Sequence, residues 1–378
     1  MADSALAARV SSTPEALTIE WRAGGVTEFA SLWLRDNVRE DRDAASGQRL
    51  VDIVDLPTAP RIRAVRADDG RVHIDWEGEA RGADFELGWL AAQAAGAAAQ
   101  RPELRPRLWL ESARLVARRD FASVELALVR GEPRVRLEWL TRLAQDGIAF
   151  LASLPCEAAA ILGAASVIGR VVETNYGLLF DVRTVPQPEN LAYSDLGLGL
   201  HTDNPYREPV PGFQALHALV TSPEGGDSLF ADGFALAAHL RESAPEAFSI
   251  LTTTAVPFHY ASADAELYAA RPLIQLSCEG EVAAVHYNNR SIRVGAQTAP
   301  AFYSAYRRFA ALLREPRFQL QLKLADGDLV VFDNQRVLHG RTAFTSAKHP
   351  RHLQGCYLTR DSVFSEAGLL RRKLAERT

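Results

Sequence analysis

Gly199-Leu200-His201-Thr202-Asp203-Asn204-Pro205-Tyr206-Arg207 is the stretch on which the reading of this chain turns. In extended backbone, residues two apart project to the same side. His201 and Asp203 therefore present an imidazole and a carboxylate together, two of the three groups of a facial metal triad. A strand-end histidine and a turn aspartate also do ordinary polar work, and nine histidines make His-x-Asp common by chance. The rest of the chain has to supply a third ligand and a frame to hold it.

The chain has 378 residues, enough for two domains and a large core. Hydrophobic residues make up 47% and charged residues 24%, the balance of a soluble globular protein. A net charge of −5 and the lack of a Lys/Arg block argue against nucleic acid as a partner. Cys156, Cys278 and Cys356 are scattered, with no CxxC pair, which points to a reducing compartment and to no disulfide framework. Met1-Ala2-Asp3-Ser4 lacks a basic-then-apolar leader, and no apolar run reaches the roughly 18 residues of a membrane span. A cytoplasmic protein without membrane contact is the expectation.

Residues 16–95 read as a small β-rich unit. Ala16–Trp21 and Val72–Trp76 alternate apolar and polar, Asp69-Gly70 makes a turn, and Leu87–Leu90 opens a short helix running into alanines. The proline- and charge-rich Gln100–Arg107 reads as a linker. The domains are therefore placed at 1–99 and 100–378. In the second, Leu137–Leu143 has helical spacing, Gly147–Leu151 is a buried strand and Glu157–Ile168 fits a helix. Short apolar stretches follow at Phe213–Val220, Ser228–Phe230, Pro272–Ser277, Val282–Tyr287, Phe318–Leu324 and Asp328–Phe332. Helices are expected at Leu236–Ser243 and Pro300–Leu313, the latter with proline at the tolerated first position. Many short strands with few crossover helices favour a sandwich or jelly roll over a parallel sheet.

The second informative stretch is Gly327–Arg341. An apolar strand enters the polar turn Asp333-Asn334-Gln335-Arg336, returns through Val337-Leu338 and presents His339 beside a glycine. Arg351 then opens the next strand, where a guanidinium is placed to pair bidentately with a carboxylate near a metal. Each of these residues alone has a plainer reading, a backbone-bonded turn histidine or a surface charge.

Four motifs occur in order: His201-Thr202-Asp203, Gly225-Gly226-Asp227-Ser228, Leu338-His339-Gly340-Arg341 and Arg351-His352-Leu353-Gln354-Gly355. Their order and approximate spacing resemble the Fe(II)/2-oxoglutarate dioxygenases of the taurine-dioxygenase superfamily. With Ser31-Leu32-Trp33-Leu34-Arg35-Asp36-Asn37 near the start, nearly the whole chain resembles the γ-butyrobetaine and trimethyllysine dioxygenase branch. The resemblance implies a mainly β fold with flanking helices: a double-stranded β-helix (jelly-roll) catalytic core plus the small β-rich N-terminal domain. It implies that His201, Asp203 and His339 are the catalytic metal ligands for Fe(II). Arg351 and Ser228 would hold the distal carboxylate of the cosubstrate 2-oxoglutarate, with Leu216 and Asn190 lining its site. Three protein ligands on six-coordinate iron leave room for the keto acid and for O2. The implied reaction couples decarboxylation of 2-oxoglutarate to succinate with hydroxylation of one C–H bond.

By the same resemblance a trimethylammonium group sits among aromatic rings, here Tyr176, Phe180, Tyr193 and Tyr357; ring faces hold a cation that has no N–H to donate. Phe180 stands where the animal butyrobetaine enzyme has tryptophan. The acidic end of a small zwitterionic substrate falls to Asn190, Asn204, Tyr206, Asn288, Asn289 and Arg290, with Asn204 replacing a tyrosine of the animal enzyme. A donor-rich pocket with arginine suits a phosphonate at least as well as a carboxylate. The pattern is similar to the bacterial 2-(trimethylammonio)ethylphosphonate dioxygenases, so that phosphonate, hydroxylated beside its acid group, is placed ahead of γ-butyrobetaine, whose product would be L-carnitine. A betaine-binding protein without turnover is the alternative of another class. One departure concerns Val38–Asp43, where the butyrobetaine branch carries a cysteine cluster for structural zinc: thiolates make such sites tight, there are none here, and no structural zinc is expected. A homodimer is implied by the resemblance alone.

Overall fold

The computed structural model describes residues 7–68, 70–95, 105–109, 121, 123–184, 195–345 and 351–376. Backbone contacts divide the chain into two compact units, Met1–Pro102 and Glu103–Thr378. No helix among the described residues is long and apolar enough to cross a membrane.

The first unit contains two three-stranded antiparallel sheets. One is Ala7–Ser12, Ala16–Trp21 and Val26–Ala30; the other is Ile62–Asp68, Arg71–Trp76 and Ala83–Glu86. Their alternation buries Leu17, Ile19, Val72, Ile74 and Trp76 in one core with Leu34 and Leu90. In the stretch 38–43, Val38 enters this core. Nearby charges are tied by Arg35, which contacts Asp41 at 2.5 Å and Glu79 at 2.8 Å. His73 engages Asp84 and Asp75.

The second unit is built on two sheets. The seven-stranded one runs Phe180–Arg183, His352–Leu358, Phe213–Val220, Leu329–Asp333, Ile148–Ala152 and Ser123–Glu125, with Val171–Val172 also paired to His352–Leu358. The four-stranded one runs Leu198–His201, Val337–Arg341, Ser228–Asp232 and Leu320–Leu322. Side chains alternate across each strand, and here both faces are buried. Phe150, Leu216, Phe230, Val330, Phe332 and Leu353 fill the space between the sheets. The alternate positions Leu151, Phe213, Val331 and Leu358 pack instead on helices Pro133–Asp146 and Arg360–Ala375. Behind the smaller sheet, Leu200, Ala231 and Leu338 join Phe234, Leu240, Phe302 and Phe309 from helices Gly233–Ser243 and Pro300–Leu312.

Two local expectations change. The helix expected over 157–168 spans only Ala160–Ala165. Ala159 has φ +65° and gives its N–H to Gln354 Oε1 at 2.7 Å, so the helix cannot begin earlier. The chain also forms a hairpin, Val256–Ala261 with Glu266–Arg271, that the apolar pattern did not announce.

Asp232 and Arg336 form a fully buried pair, each side chain 1% exposed, with Nη2–Oδ2 at 2.8 Å and Nε–Oδ1 at 3.0 Å. Arg336 also donates to the carbonyls of Gln145 and Arg107, and Asp232 accepts from Phe234 N–H at the start of its helix. Removing one partner strands the other's charge in a dry interior. Asp232→Ala is therefore expected to lose about 3–5 kcal/mol of stability, read by urea unfolding; a loss below about 1 kcal/mol would show that the pair is dispensable.

Candidate active site

His201 and His339 arrive on neighbouring antiparallel strands and stand opposite each other in register. Opposed residues share a face, so both imidazoles project between the sheets, ring centroids 4.3 Å apart. Gly340 makes the approach possible, since a Cβ there would lie 2.4 Å from the Leu198 carbonyl oxygen. Asp203, two residues past His201, completes the group. One ligand atom from each of His201, Asp203 and His339 lies within 4.8 Å of the others, and this is the only such cluster among the described residues.

Hydrogen bonds orient these side chains. His201 Nδ1 lies 2.9 Å from the Gly199 carbonyl, which can only accept, so Nδ1 carries a proton and Nε2 is the atom turned toward the cluster. That Nε2 is 3.3 Å from Asp203 Oδ1, and His339 Nε2 is 3.7 Å from Oδ2. The Tyr357 hydroxyl donates to Asp203 Oδ2 at 2.8 Å. Burial opposes charge on Asp203, but His339, His201 and Tyr357 outweigh it and hold the carboxyl well below the usual range. Burial, reinforced by His201, lowers His339 to about 3, leaving a neutral imidazole. An ionised carboxylate and neutral imidazole nitrogens are the forms that bind a metal.

The cluster opens on a cavity of about 100 Å³ between the sheets. Leu216, Ser228 and Arg351 are among its lining residues. Arg351 is 7% exposed and stands 5.8 Å from the Phe344 ring, with no carboxylate partner among the described residues. Burial and then Arg341 lower it to about 10, so it stays charged near neutral pH. A buried cation facing a cavity is built to take an anion.

Tyr176, Phe180 and Tyr357 line the same cavity, the last two with ring centroids 5.0 Å apart. Phe180 lies over Gly355, where a Cβ would meet its ring at 2.4 Å. Asn204 and Arg290 border this cavity and an adjoining one of about 380 Å³, which also reaches Tyr206, Tyr260 and Asn288. Asn204 has φ +54° and accepts from the Tyr206 hydroxyl at 2.7 Å. Its Nδ2 is buried without a hydrogen-bond partner. Burial lowers Arg290, with Asp203 opposing the shift.

Not every expected residue joins the site. Asn289 lines neither cavity; it is exposed and accepts from the Tyr306 hydroxyl at 2.7 Å, so its expected substrate role is withdrawn. Asn288 does reach the second cavity, but its amide is committed to the Thr202 carbonyl and to the N–H groups of Arg290 and Ser291. It shapes the wall. Asn190 and Tyr193 lie outside the described residues. Tyr260, absent from the sequence reading, stacks on Tyr206 at 5.1 Å and meets Tyr176 edge-on at 6.1 Å. No local signal marks it, because the hairpin brings it to Tyr206 from 54 positions away.

Residues 118–357 match the family described as taurine catabolism dioxygenase TauD, TfdA family. The chain belongs to the TauD/TfdA family. It is 36% identical over 375 residues to a γ-butyrobetaine dioxygenase of Pseudomonas sp. (strain AK-1), covering 97% of this chain and 96% of that relative. To the γ-butyrobetaine dioxygenase of Homo sapiens it is 27% identical over 370 residues, 95% of each chain. To the mitochondrial trimethyllysine dioxygenase of Mus musculus it is 29% identical over 360 residues, 92% of this chain and 84% of that one. The TauD/TfdA chain described here is an Fe(II)- and 2-oxoglutarate-dependent dioxygenase. Its cavity fits both groups, with two imidazoles and a carboxylate converging on one point and a buried guanidinium in the same space.

Tyr357→Phe keeps the ring and removes the hydrogen bond to Asp203. Outer hydrogen bonds of this kind are worth about 10–100-fold in metal affinity, so Fe(II) titration of the variant is expected to show binding about 10-fold weaker. Unchanged affinity would remove Tyr357 from the support of Asp203.

Proposed function

We propose that this enzyme hydroxylates a small zwitterion carrying a quaternary ammonium group, and that γ-butyrobetaine, giving L-carnitine, is the first candidate. The observation that carries the reading is the 36% identity to a bacterial γ-butyrobetaine dioxygenase across nearly the full length of both chains. The aromatic rings of Tyr176, Phe180 and Tyr357 beside the metal-ligand group support it, because a trimethylammonium needs ring faces rather than acceptors. We read the paired sheets as a double-stranded β-helix.

In this reading His201, Asp203 and His339 hold Fe(II), which when bound supplies the oxidative chemistry with O2. Arg351 and Ser228 take the distal carboxylate of 2-oxoglutarate, and Leu216 packs beside its carbon chain. Tyr357 steadies the carboxylate ligand through its hydroxyl and offers its ring to the substrate side. Asn204 and Arg290 face the substrate's acidic end. The buried walls exclude water and strengthen each of these charged contacts.

The sequence preference for 2-(trimethylammonio)ethylphosphonate gives way to γ-butyrobetaine on the weight of these relatives. One observation keeps the phosphonate as a second reading: Arg290 and the Asn204 Nδ2, which has no partner among the described residues, border the same cavity, and together they offer more donors than a carboxylate needs.

Succinate production with γ-butyrobetaine, trimethyllysine and 2-(trimethylammonio)ethylphosphonate, measured side by side, tests the assignment. Strongest turnover with γ-butyrobetaine is expected. Preference for the phosphonate would move the assignment to the second reading, and no stimulation by any of the three would overturn the quaternary-ammonium class. Arg351→Ala should raise the KM for 2-oxoglutarate by about 30-fold or more, since losing a buried charged contact costs at least about 2 kcal/mol. An unchanged KM would remove Arg351 from the cosubstrate site.

A further inference from the structure

We propose that Asn334 is a positioning residue for the iron, its side-chain amide setting the place of the Asp203 carboxylate relative to His339. The proposal rests on the reading of His201, Asp203 and His339 as the metal ligands.

Two sides of that triangle are set by near neighbours in the chain or in the sheet. His201 and Asp203 are related by their two-residue spacing, and His201 and His339 by their cross-strand register. The third side, Asp203 to His339, has no such constraint. Asp203 lies beyond the end of the Leu198–His201 strand, and Asn204 after it turns into the left-handed region at φ +54°. A residue so placed has no sheet partner to fix its backbone.

Asn334 supplies one. Its Oδ1 accepts the Asp203 N–H at 2.7 Å, and its Nδ2 donates to the Asp203 carbonyl at 3.0 Å. A single amide thus bonds both polar groups of one residue, as a neighbouring strand would. The second proton of Nδ2 goes to the Pro211 carbonyl at 3.2 Å, and the Asn334 N–H goes to the Gly212 carbonyl at 2.8 Å. Asn334 is fully buried, so none of these bonds competes with solvent.

The other end of the link is equally firm. Asn334 occupies the turn between Leu329–Asp333 and Val337–Arg341, five residues before His339. Within that turn Asp333 accepts from the N–H groups of Gln335 and Arg336 at 3.0 Å, and the Arg336–Asp232 pair anchors it below. The carboxylate loop is therefore fastened to the hairpin that carries the distal histidine. A buried amide that served only to stabilise the loop would make the same bonds; the two roles separate in what they do to iron.

The experiment measures Fe(II) dissociation constants for the full-length protein and the visible absorbance of its Fe(II)–2-oxoglutarate complex, without turnover. Asn334→Ala is expected to bind Fe(II) about 10–100-fold more weakly and to shift that absorbance, in line with outer hydrogen bonds at metal sites. Asn334→Asp, which keeps the acceptor for the Asp203 N–H, should fall between it and the parent protein, and it carries the test if the alanine variant does not fold. Leu143→Ala, in the outer helical layer, destabilises without touching the site and should leave iron affinity unchanged. Parent-like affinity in the folded Asn334 variants overturns the positioning role, as does an equal loss in Leu143→Ala. If Asp203→Ala retains parent-like iron affinity, the triad reading itself falls, and the proposal falls with it.

Discussion

The buried Asp232–Arg336 pair is the constraint on which the arrangement of the second unit depends. Arg336 closes the turn that leads to His339, and Asp232 ends the strand that begins with Ser228. Their bidentate contact fixes the hairpin against its neighbour in the smaller sheet. The same carboxylate caps the helix Gly233–Ser243, whose apolar side covers that sheet from behind. Such a pair repays its desolvation only when every remaining donor and acceptor is satisfied, and the Gln145 and Arg107 carbonyls and the Phe234 N–H meet that requirement. What it contributes is a definite register where hydrophobic packing alone would tolerate sliding.

Much of the site was legible because it is built from short-range spacing. His-x-Asp at the end of a strand, a histidine beside glycine and an arginine just before a strand are local patterns, and the fold brings all of them to one cavity. The rest required tertiary contact. Tyr260 enters from a hairpin whose sequence does not alternate cleanly, and only the fold brings it against Tyr206 and Tyr176. Asn288, Asn289 and Arg290 look equivalent as a polar run, yet Asn289 turns outward to Tyr306 while Arg290 faces the cavity. The shortened helix at Ala160–Ala165 has a similar cause: Gln354, 195 residues from Ala159, holds that residue in a conformation that composition does not advertise.

Charge in the cavity is arranged in opposition to the usual rule that buried ions are paired within the protein. Asp203 is surrounded by imidazoles and a phenol, whereas Arg351 and Arg290 line the cavity, each with its guanidinium disfavoured by burial and with no carboxylate bonded to it among the described residues. In the proposed reading the acidic end of the substrate meets these cations, and the aromatic rings lining the same cavity take its quaternary ammonium.

Gly355 has a wider consequence. Its missing side chain lets the Phe180 ring close on the strand, with Leu216 only 2.9 Å from where a Cβ would be. Any other residue at this position would push Phe180 into the ligand space on one side and Leu216 on the other. The size of the chamber is therefore set by an absence in a strand, at a position no ligand need touch. Descendants of this protein could narrow their diet by one substitution there, leaving the metal ligands and Arg351 intact.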